Sequence, residues 1–243
     1  MARLRIVLVE PREAGNVGAA ARVMKNFGFD ELWIAGPHPE LFPVSGWWAS
    51  GADDLLANVR HAASLAEAVG DAQLTVATTS MRGRTSPVSF TARTLAQRFA
   101  SLAQEQTLAL VFGREDHGLT REELMLCQHT AAIPTNDRFP TMNLAQSVGV
   151  FCYELSSIAA APVPRDLPDA ATIERVHQRA RELLLEVGFL HDNNPDRIYD
   201  DLRALVGRAD LDAREATIVL GIIRQIEWKV RNWSGASDSD TRR

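Results

Sequence analysis

Four short segments of this 243-residue chain concentrate the residue types that can do chemistry: "EPREAGN" at 10–16, "TTSMRGR" at 78–84, "FGREDHGL" at 112–119 and "IPTNDRFPTMNL" at 133–144. The first opens the longer run "EPREAGNVGAAARVMKNFG", where a glycine-bearing turn leaves the apolar stretch "RIVLV" and feeds a helix. Such a turn can cradle a phosphate on backbone amides. The dinucleotide fingerprint, however, wants G-x-G-x-x-G and an acid about 20 residues later. "GNVGAAA" has only a G-x-x-G spacing, and no Walker lysine-serine pair follows a glycine loop. An asparagine, Asn16, stands in the turn instead, and an arginine, Arg22, stands six residues on. In the third segment Arg114, Glu115, Asp116 and His117 lie between Gly113 and Gly118, which permit tight backbone paths beside a ligand. In the fourth, Thr141 and Asn143 directly precede a long apolar helix, and either can cap it. A cap residue stands where helix-terminal amides point at a ligand, so capping and ligand binding are compatible.

All four segments follow expected strands. Apolar strands are predicted at 5–9, 31–35, 73–79, 107–113 and 130–134, and helical patterns at 17–27, about 62–69, 92–102 and 143–159. Continuous apolar strands separated by helices indicate an α/β fold with a mostly parallel sheet covered on both faces. Ligands of such sheets bind beyond the carboxyl ends of the strands, where these four segments fall. The expected domain covers residues 1–160. A proline-rich linker follows at 161–170, with three prolines between 162 and 168. Helical spacing at 171–187, 196–206 and 212–230 predicts a small all-helical C-terminal domain over 171–232. There Leu183, Leu184 and Val187 share a stripe, as do Ile218, Ile222 and Ile226, and Asp212 with Glu215 fits a capping box. The polar tail 233–243 is expected to be disordered.

Composition narrows the classes. An apolar content of 46% is ordinary for a folded soluble chain, and no stretch is long and apolar enough to span a membrane. No secretion signal is read at the start of the sequence. The two cysteines, Cys127 and Cys152, suit a reducing compartment, and the expectation is a cytoplasmic protein. No spacing of Cys, His or acids suggests a metal site. A net charge of −5 argues against a non-specific nucleic-acid coat, which needs a basic surface. It leaves room for a local patch, and the 24 arginines against two lysines favour the side chain suited to bidentate phosphate contacts.

Taken together, Asn16 with Arg22, "FGxExxGL" as Gly113, Glu115, Gly118 and Leu119, and "S/T-x-N-L" as Thr141, Met142, Asn143 and Leu144 resemble the SPOUT methyltransferases. The resemblance is to the branch that methylates ribose 2'-hydroxyls of RNA, and most to the bacterial enzymes of tRNA anticodon-loop position 32. It covers 3–160 closely, and the helical extension is similar to that of the position-32 enzymes. One departure is Thr141, where many relatives carry serine.

The resemblance implies a C-terminal trefoil knot in the sheet domain and S-adenosyl-L-methionine as cofactor, with no metal. It also implies a homodimer with the active site at the subunit interface, and tRNA as partner. Its catalytic set maps to Arg22, Asn16, Thr141, Glu115 and Asn143. The cofactor would lie on Thr78, Thr79, Ser80, Phe112, Gly113, Arg114, Gly118, Ile133, Pro134, Met142, Asn143 and Leu144. For tRNA the candidates are Arg12, Arg22, Arg82, Arg84 and Arg114, with Asn16 expected to orient Arg22 and the Thr141 hydroxyl. A guanidinium is a poor base, its pKa lying above about 12, so Arg22 suits gripping phosphate and stabilising an alkoxide. Trp47 and Trp48 either stack a base or pack at the edge of the chain, and packing is the expectation. Methylation of another tRNA position or of ribosomal RNA, or an RNA-binding module without catalysis, are the alternatives.

Overall fold

The computed structural model describes residues 2–80, 88–157, 165–191 and 195–232. Arg82 and Arg84, residues 161–164 of the expected linker, and the expected disordered tail lie outside the described residues. The chain divides into two units, Met1–Ala171 and Thr172–Arg243.

In the first unit, β1 (Arg3–Val9), β2 (Glu31–Ala35), β3 (Arg60–Ala62), β4 (Leu74–Thr79), β5 (Phe90–Thr91), β6 (Thr107–Phe112) and β7 (His129–Ala132) form one sheet. Their order is β3-β2-β1-β6-β4-β7-β5, and every pairing is parallel. The central strands β1 and β6 pair from Arg3 with Thr107 to Leu8 with Phe112, which brings their carboxyl ends side by side. Both are buried on both faces, which is why "RIVLV" and "TLALVF" read as apolar runs and do not alternate.

Successive residues of β1 serve opposite cores. Leu4, Ile6 and Leu8 join the core under α1 (Ala14–Asn26), α5 (Ala92–Ala100) and α7 (Leu144–Ser156), with Met24, Leu95 and Phe151. Val7 and Val9 join the other, with Ala68 and Val69 around α4 (Leu65–Val69). Arg5 shares that second face at the rim. Its buried guanidinium is held by Glu31 at 2.7 Å and Asp71 at 2.5 Å, and it stacks 4.5 Å from the Trp33 ring.

Three short helices carry no sequence period long enough to announce them: α2 (Val44–Ala49), α3 (Asp53–Ala57) and α6 (Arg121–Met125). Tertiary contact holds α2, since a Cβ on Gly18 of α1 would stand 2.1 Å from the Ser45 carbonyl oxygen. Glycine lets the two backbones touch there. The helix expected from about residue 62 begins at Leu65 instead, because Ala62 completes β3 and Ser64 caps the helix by accepting from the Glu67 amide. Residues 165–170 run along this unit: Arg165 bridges to Leu102, Leu167 is buried in the larger core, and the Ala170 amide donates to Ala72.

The second unit contains α8 (Ala170–Glu186) from Thr172 onward, α9 (Pro195–Ala209) and α10 (Ala213–Arg231). Val176, Leu183 and Ile223 form its core, and Asp212 and Glu215 make the expected capping box. The isoleucine stripe is a correction. Ile218, Ile222 and Ile226 do share a face, but they are 50%, 54% and 43% exposed, and Val187 is exposed as well. The inward face of α10 is Ala216, Ile223 and Glu227, the last paired with Arg179. Periodicity tells which residues share a face. It does not tell which of two apolar faces turns inward.

Among the described residues no helix is long and apolar enough to cross a membrane.

Candidate active site

Where β1 ends, Glu10 adopts a left-handed backbone (φ 43°) and the chain turns into α1. No side chain of its own caps that helix. A carboxylate from the neighbouring strand end does the work: Glu115 accepts from the amides of Arg12 at 2.9 Å and Glu13 at 3.2 Å. The same carboxylate accepts from the Asn16 Nδ2 at 2.9 Å. Asn16 in turn accepts on its Oδ1 from Asn143 Nδ2, also at 2.9 Å. Asn143 then caps α7, its Oδ1 accepting from the amides of Ala145 at 2.9 Å and Gln146 at 3.3 Å. The direction of every amide in this chain is dictated. An ionised carboxylate only accepts, so Asn16 must turn its NH2 to Glu115 and its oxygen to Asn143. Burial pushes the Glu115 pKa up, but hydrogen bonds from Asn16 and from the backbone amides outweigh it and hold the group below the usual carboxylate range.

Glycine makes the loop carrying Glu115 possible. Arg114 and Gly118 exchange backbone hydrogen bonds of 3.2 and 2.9 Å, which closes 114–118 into a tight loop with Gly118 at φ 71°. A Cβ on Gly113 would lie 2.2 Å from the Gly118 carbonyl carbon and 2.3 Å from the Leu119 nitrogen. Beneath the loop Arg114 is clamped. Its Nε reaches Glu10 at 2.9 Å, and its two terminal nitrogens reach Glu123 at 3.0 Å each. Glu123 also completes the capping box of α6 with Thr120. Hydrogen bonds to Glu10 and Glu123 raise the Arg114 pKa further above the arginine range, and the Glu10 carboxyl is lowered in return, chiefly by its hydrogen bond to Arg114. The geometry does not support the expectation that Arg114 grips tRNA phosphate. The residue is 9% exposed and its fork is committed to two carboxylates.

Beside the asparagine chain lies a cleft of about 350 Å³. Of the expected cofactor residues, Thr78, Thr79, Ser80, Phe112, Gly113, Arg114, Gly118, Ile133, Met142 and Leu144 line it, with Thr141 and Glu115. Pro134 and Asn143 flank it without lining it. Sequence reasoning missed Leu124, Thr135, Pro140, Ser147 and Phe151 in its walls. Ser147 had a signal: it follows Asn143 by four residues, one helical turn, and its hydroxyl donates to the Asn143 carbonyl at 3.0 Å. Phe151 is one turn further on the same face.

Arg22 stands apart. Six residues along a helix rotate a side chain by about 240° and advance it about 9 Å, so Arg22 leaves α1 about 120° away from Asn16. It is exposed, is not in the cleft wall, and has no side-chain partner among the described residues. Asn16 therefore does not orient Arg22 or the Thr141 hydroxyl within this chain; its partners are Glu115 and Asn143. Arg12 is exposed and pairs with Asp116 at 3.2 Å, and Asp116 also meets His117 at 2.6 Å. Trp47 and Trp48 are 73% and 60% exposed, and the Trp48 indole packs by one side on Gly15.

Comparison with known proteins accords with this geometry. Residues 3–153 match the SpoU rRNA Methylase family, and residues 171–237 match the C-terminal domain of the tRNA methyltransferase TrmJ. The chain is 34% identical to the tRNA (cytidine/uridine-2'-O-)-methyltransferase TrmJ of Cronobacter sakazakii, over 92% of this chain and 96% of that one. It is equally similar to TrmJ of Salmonella typhimurium, with the same coverage. The crystal structure of TrmJ from Z. mobilis matches with a TM-score of 0.78 at 29% identity, covering 93% of this chain and all of that one. A methylase family protein from Neisseria gonorrhoeae matches at 0.64 and 33% identity, over 71% of this chain and 92% of that one. The chain therefore belongs to the SpoU methylase family of RNA methyltransferases, and its second unit to the C-terminal domain family of TrmJ.

Proposed function

We propose that this protein methylates the ribose 2'-hydroxyl of cytidine or uridine at position 32 of the tRNA anticodon loop. It uses S-adenosyl-L-methionine, releases S-adenosyl-L-homocysteine, and works as a cytoplasmic homodimer. The observation that carries this reading is the hydrogen-bonded chain Glu115–Asn16–Asn143 beside the cleft. It joins all three sequence signatures at one strand-end edge, and a fold that had lost the activity would have no need to keep it.

The cleft fits the cofactor in size and chemistry. Its volume falls in the range of about 300–1,000 Å³ usual for small-molecule sites. Apolar walls from Phe112, Leu119, Ile133 and Leu144 suit a purine, while Thr79, Ser80 and Thr135 offer polar groups at the rim. Glycine at 113 keeps the crossing backbones close, which suits recognition by amides and carbonyls. When bound, the sulfonium supplies a methyl carbon already activated for in-line displacement. The chain's own residues hold the ribose, exclude bulk water and stabilise the alkoxide as the hydroxyl proton passes to the adjacent phosphate or to a water molecule. Arg22 is assigned to the phosphate next to the target and to the developing charge, and Asn16, Glu115 and Asn143 to fixing the loop and helix ends around the ribose. Thr141, at the mouth of the cleft, is assigned to the hydroxyl itself.

Two features support the dimer. Arg22 faces away from its own cleft, so a second copy's cleft is the natural place for it to act. The outer face of α1 and α7 is also small and apolar: Val23 packs on Gly149, and Tyr153 stays 57% exposed against Phe27 at 6.0 Å. In the second unit Arg175 and Arg224 stand exposed, which supports assigning that unit to the tRNA body. Position 32 rests on the TrmJ-type C-terminal domain and on the family resemblance. A loop nucleotide is also the cheaper target, because an unstacked ribose enters a pocket more readily than a paired one.

The test is methyl transfer from labelled cofactor to a panel of unmodified tRNAs, with nuclease mapping of the product. A 2'-O-methyl group at position 32 is expected. Modification at position 34, or of ribosomal RNA alone, would overturn the substrate assignment. Cofactor binding without transfer to any RNA would favour an RNA-binding module.

A further inference from the structure

Two neighbouring tryptophans on a short surface helix are unusual. Large apolar side chains on a soluble domain are mostly covered, and those left bare in a group mark a contact surface. Trp47 and Trp48 belong to α2, which lies along α1, and their positions on it are defined. Ser45 touches Gly18, and the Trp48 indole lies on Gly15, where a Cβ would meet its Cδ1 and Nε1 at 3.1 Å. Gly15 is the residue before Asn16. Helix geometry adds the decisive relation. Arg22 follows Gly15 by seven residues, so it leaves α1 within about 20° of the same direction, about 10.5 Å along the axis. Trp48 and Arg22 therefore share one stripe of α1, with Trp48 at the strand-end edge and Arg22 two turns further along.

We infer that Trp48, with Trp47 beside it, is a stacking platform for the unpaired bases next to the target nucleotide. This rests on the proposed tRNA substrate. A cation for the phosphate and an adjacent aromatic face for the base is the pairing by which proteins hold single-stranded nucleic acid. Helix α2 itself bears no charge, and Arg22 is the exposed cation further along the same stripe, while Arg12 is paired with Asp116 and Glu13 stands exposed two residues before Gly15. Because Trp48 rests on the stripe of α1 that carries Arg22, the two address the same nucleotide stretch whichever protomer's cleft receives it. A second copy of the chain is the competing occupant. The α1–α7 face, with Val23, Gly149 and Tyr153, already offers that contact on another side of α1.

The experiment compares Trp48→Ala, Trp48→Leu and Trp48→Phe in the full chain. It measures the KM for unmodified tRNA, binding of S-adenosylhomocysteine, and sedimentation. Trp48→Ala and Trp48→Leu should raise the tRNA KM about ten-fold, and Trp48→Phe should return it to within about three-fold of wild type. Cofactor-product affinity and the sedimentation coefficient should stay unchanged. A second reading uses an anticodon stem-loop RNA with 2-aminopurine beside the target position. Its emission should be quenched by wild type and by Trp48→Phe, and much less by Trp48→Leu. If leucine serves as well as phenylalanine, or if alanine leaves KM unchanged while wild type methylates tRNA, the platform is refuted and the methyl-transfer reading stands. Variants that sediment as monomers would show the surface to be a contact between copies. A wild-type protein that methylates no tRNA overturns the parent reading instead.

Discussion

Asn143 donates its side-chain amide to Asn16 at 2.9 Å across 127 residues of sequence. This single bond couples the N-terminus of α7 to that of α1, and Glu115 completes it from the end of β6. Both asparagines are half-spent on structure. Asn143 holds a helix cap and Asn16 satisfies a carboxylate, and each has one remaining group committed to the other.

That division predicts how Asn143→Asp behaves. The oxygen that caps α7 is kept, so the thermal midpoint should move little, since Asp and Asn cap about equally well. The NH2 donor to Asn16 is lost, and two oxygens then face each other. Methyl transfer should fall about a hundred-fold, the scale of losing one preorganised donor. Steady-state kinetics beside a melting curve checks this. Parallel losses of stability and rate would make the bond merely structural.

Arg22→Ala should abolish transfer while S-adenosylhomocysteine binding, measured by calorimetry, stays within about two-fold. Arg22→Lys should recover little, because one ammonium cannot reproduce a planar fork on phosphate. If Arg22 serves the second copy's cleft, mixing Arg22→Ala with Asn16→Ala protein should restore activity in the heterodimer, which carries one intact composite site.

Arg114→Ala should destabilise the first unit by about 3 kcal/mol, because it leaves Glu10 and Glu123 facing each other without their cation. The low end of the expected range applies, since Glu10 remains partly in water. Chemical denaturation measures the change. A neutral result would mean that water replaces the guanidinium without cost.

Gly113→Ala should be far worse than a surface glycine change such as Gly28→Leu. Its methyl meets backbone atoms at 2.2 and 2.3 Å, and backbone at a crossing cannot swing aside as a side chain can. Loss of at least about 3 kcal/mol, or of soluble protein, is expected. Gly28 has open space, and there the positive φ alone is the penalty. Expression and melting of the two variants side by side decides the matter.

The second unit should weaken on acidification. His177 is buried, and desolvation, aided by the nearby Arg203 charge, lowers its pKa to about 3. The unfolded chain takes up a proton near the ordinary value of about 6.5 while the folded unit does not. Between those values the unfolded state binds more protons, so stability rises with pH and falls as pH drops below about 6.5. The slope approaches about 1.4 kcal/mol per pH unit. Hydrogen exchange of the α8–α10 amides between pH 7 and pH 5 should show it, and His177→Gln should flatten it.

Residue order alone specified the parallel α/β sheet, the strand-end placement of the four chemical segments, and the capping box at Asp212. Each of these is written in local terms: residue type, period and turn chemistry. Asn16, Glu115 and Asn143 were legible as a set only through the resemblance to the SPOUT methyltransferases. Their partners were set by packing, because it is the adjacency of β1 and β6 in the sheet that brings Glu115 to Asn16. Packing likewise withdrew Arg114 from the phosphate-binding set by placing two carboxylates around it. It turned Ile218, Ile222 and Ile226 outward where two apolar faces competed, and it bared Trp48 on Gly15. Local pattern specifies which side chains share a face. Which face is covered, and by what, depends on contacts between residues far apart in sequence, and those are settled only when the whole chain packs.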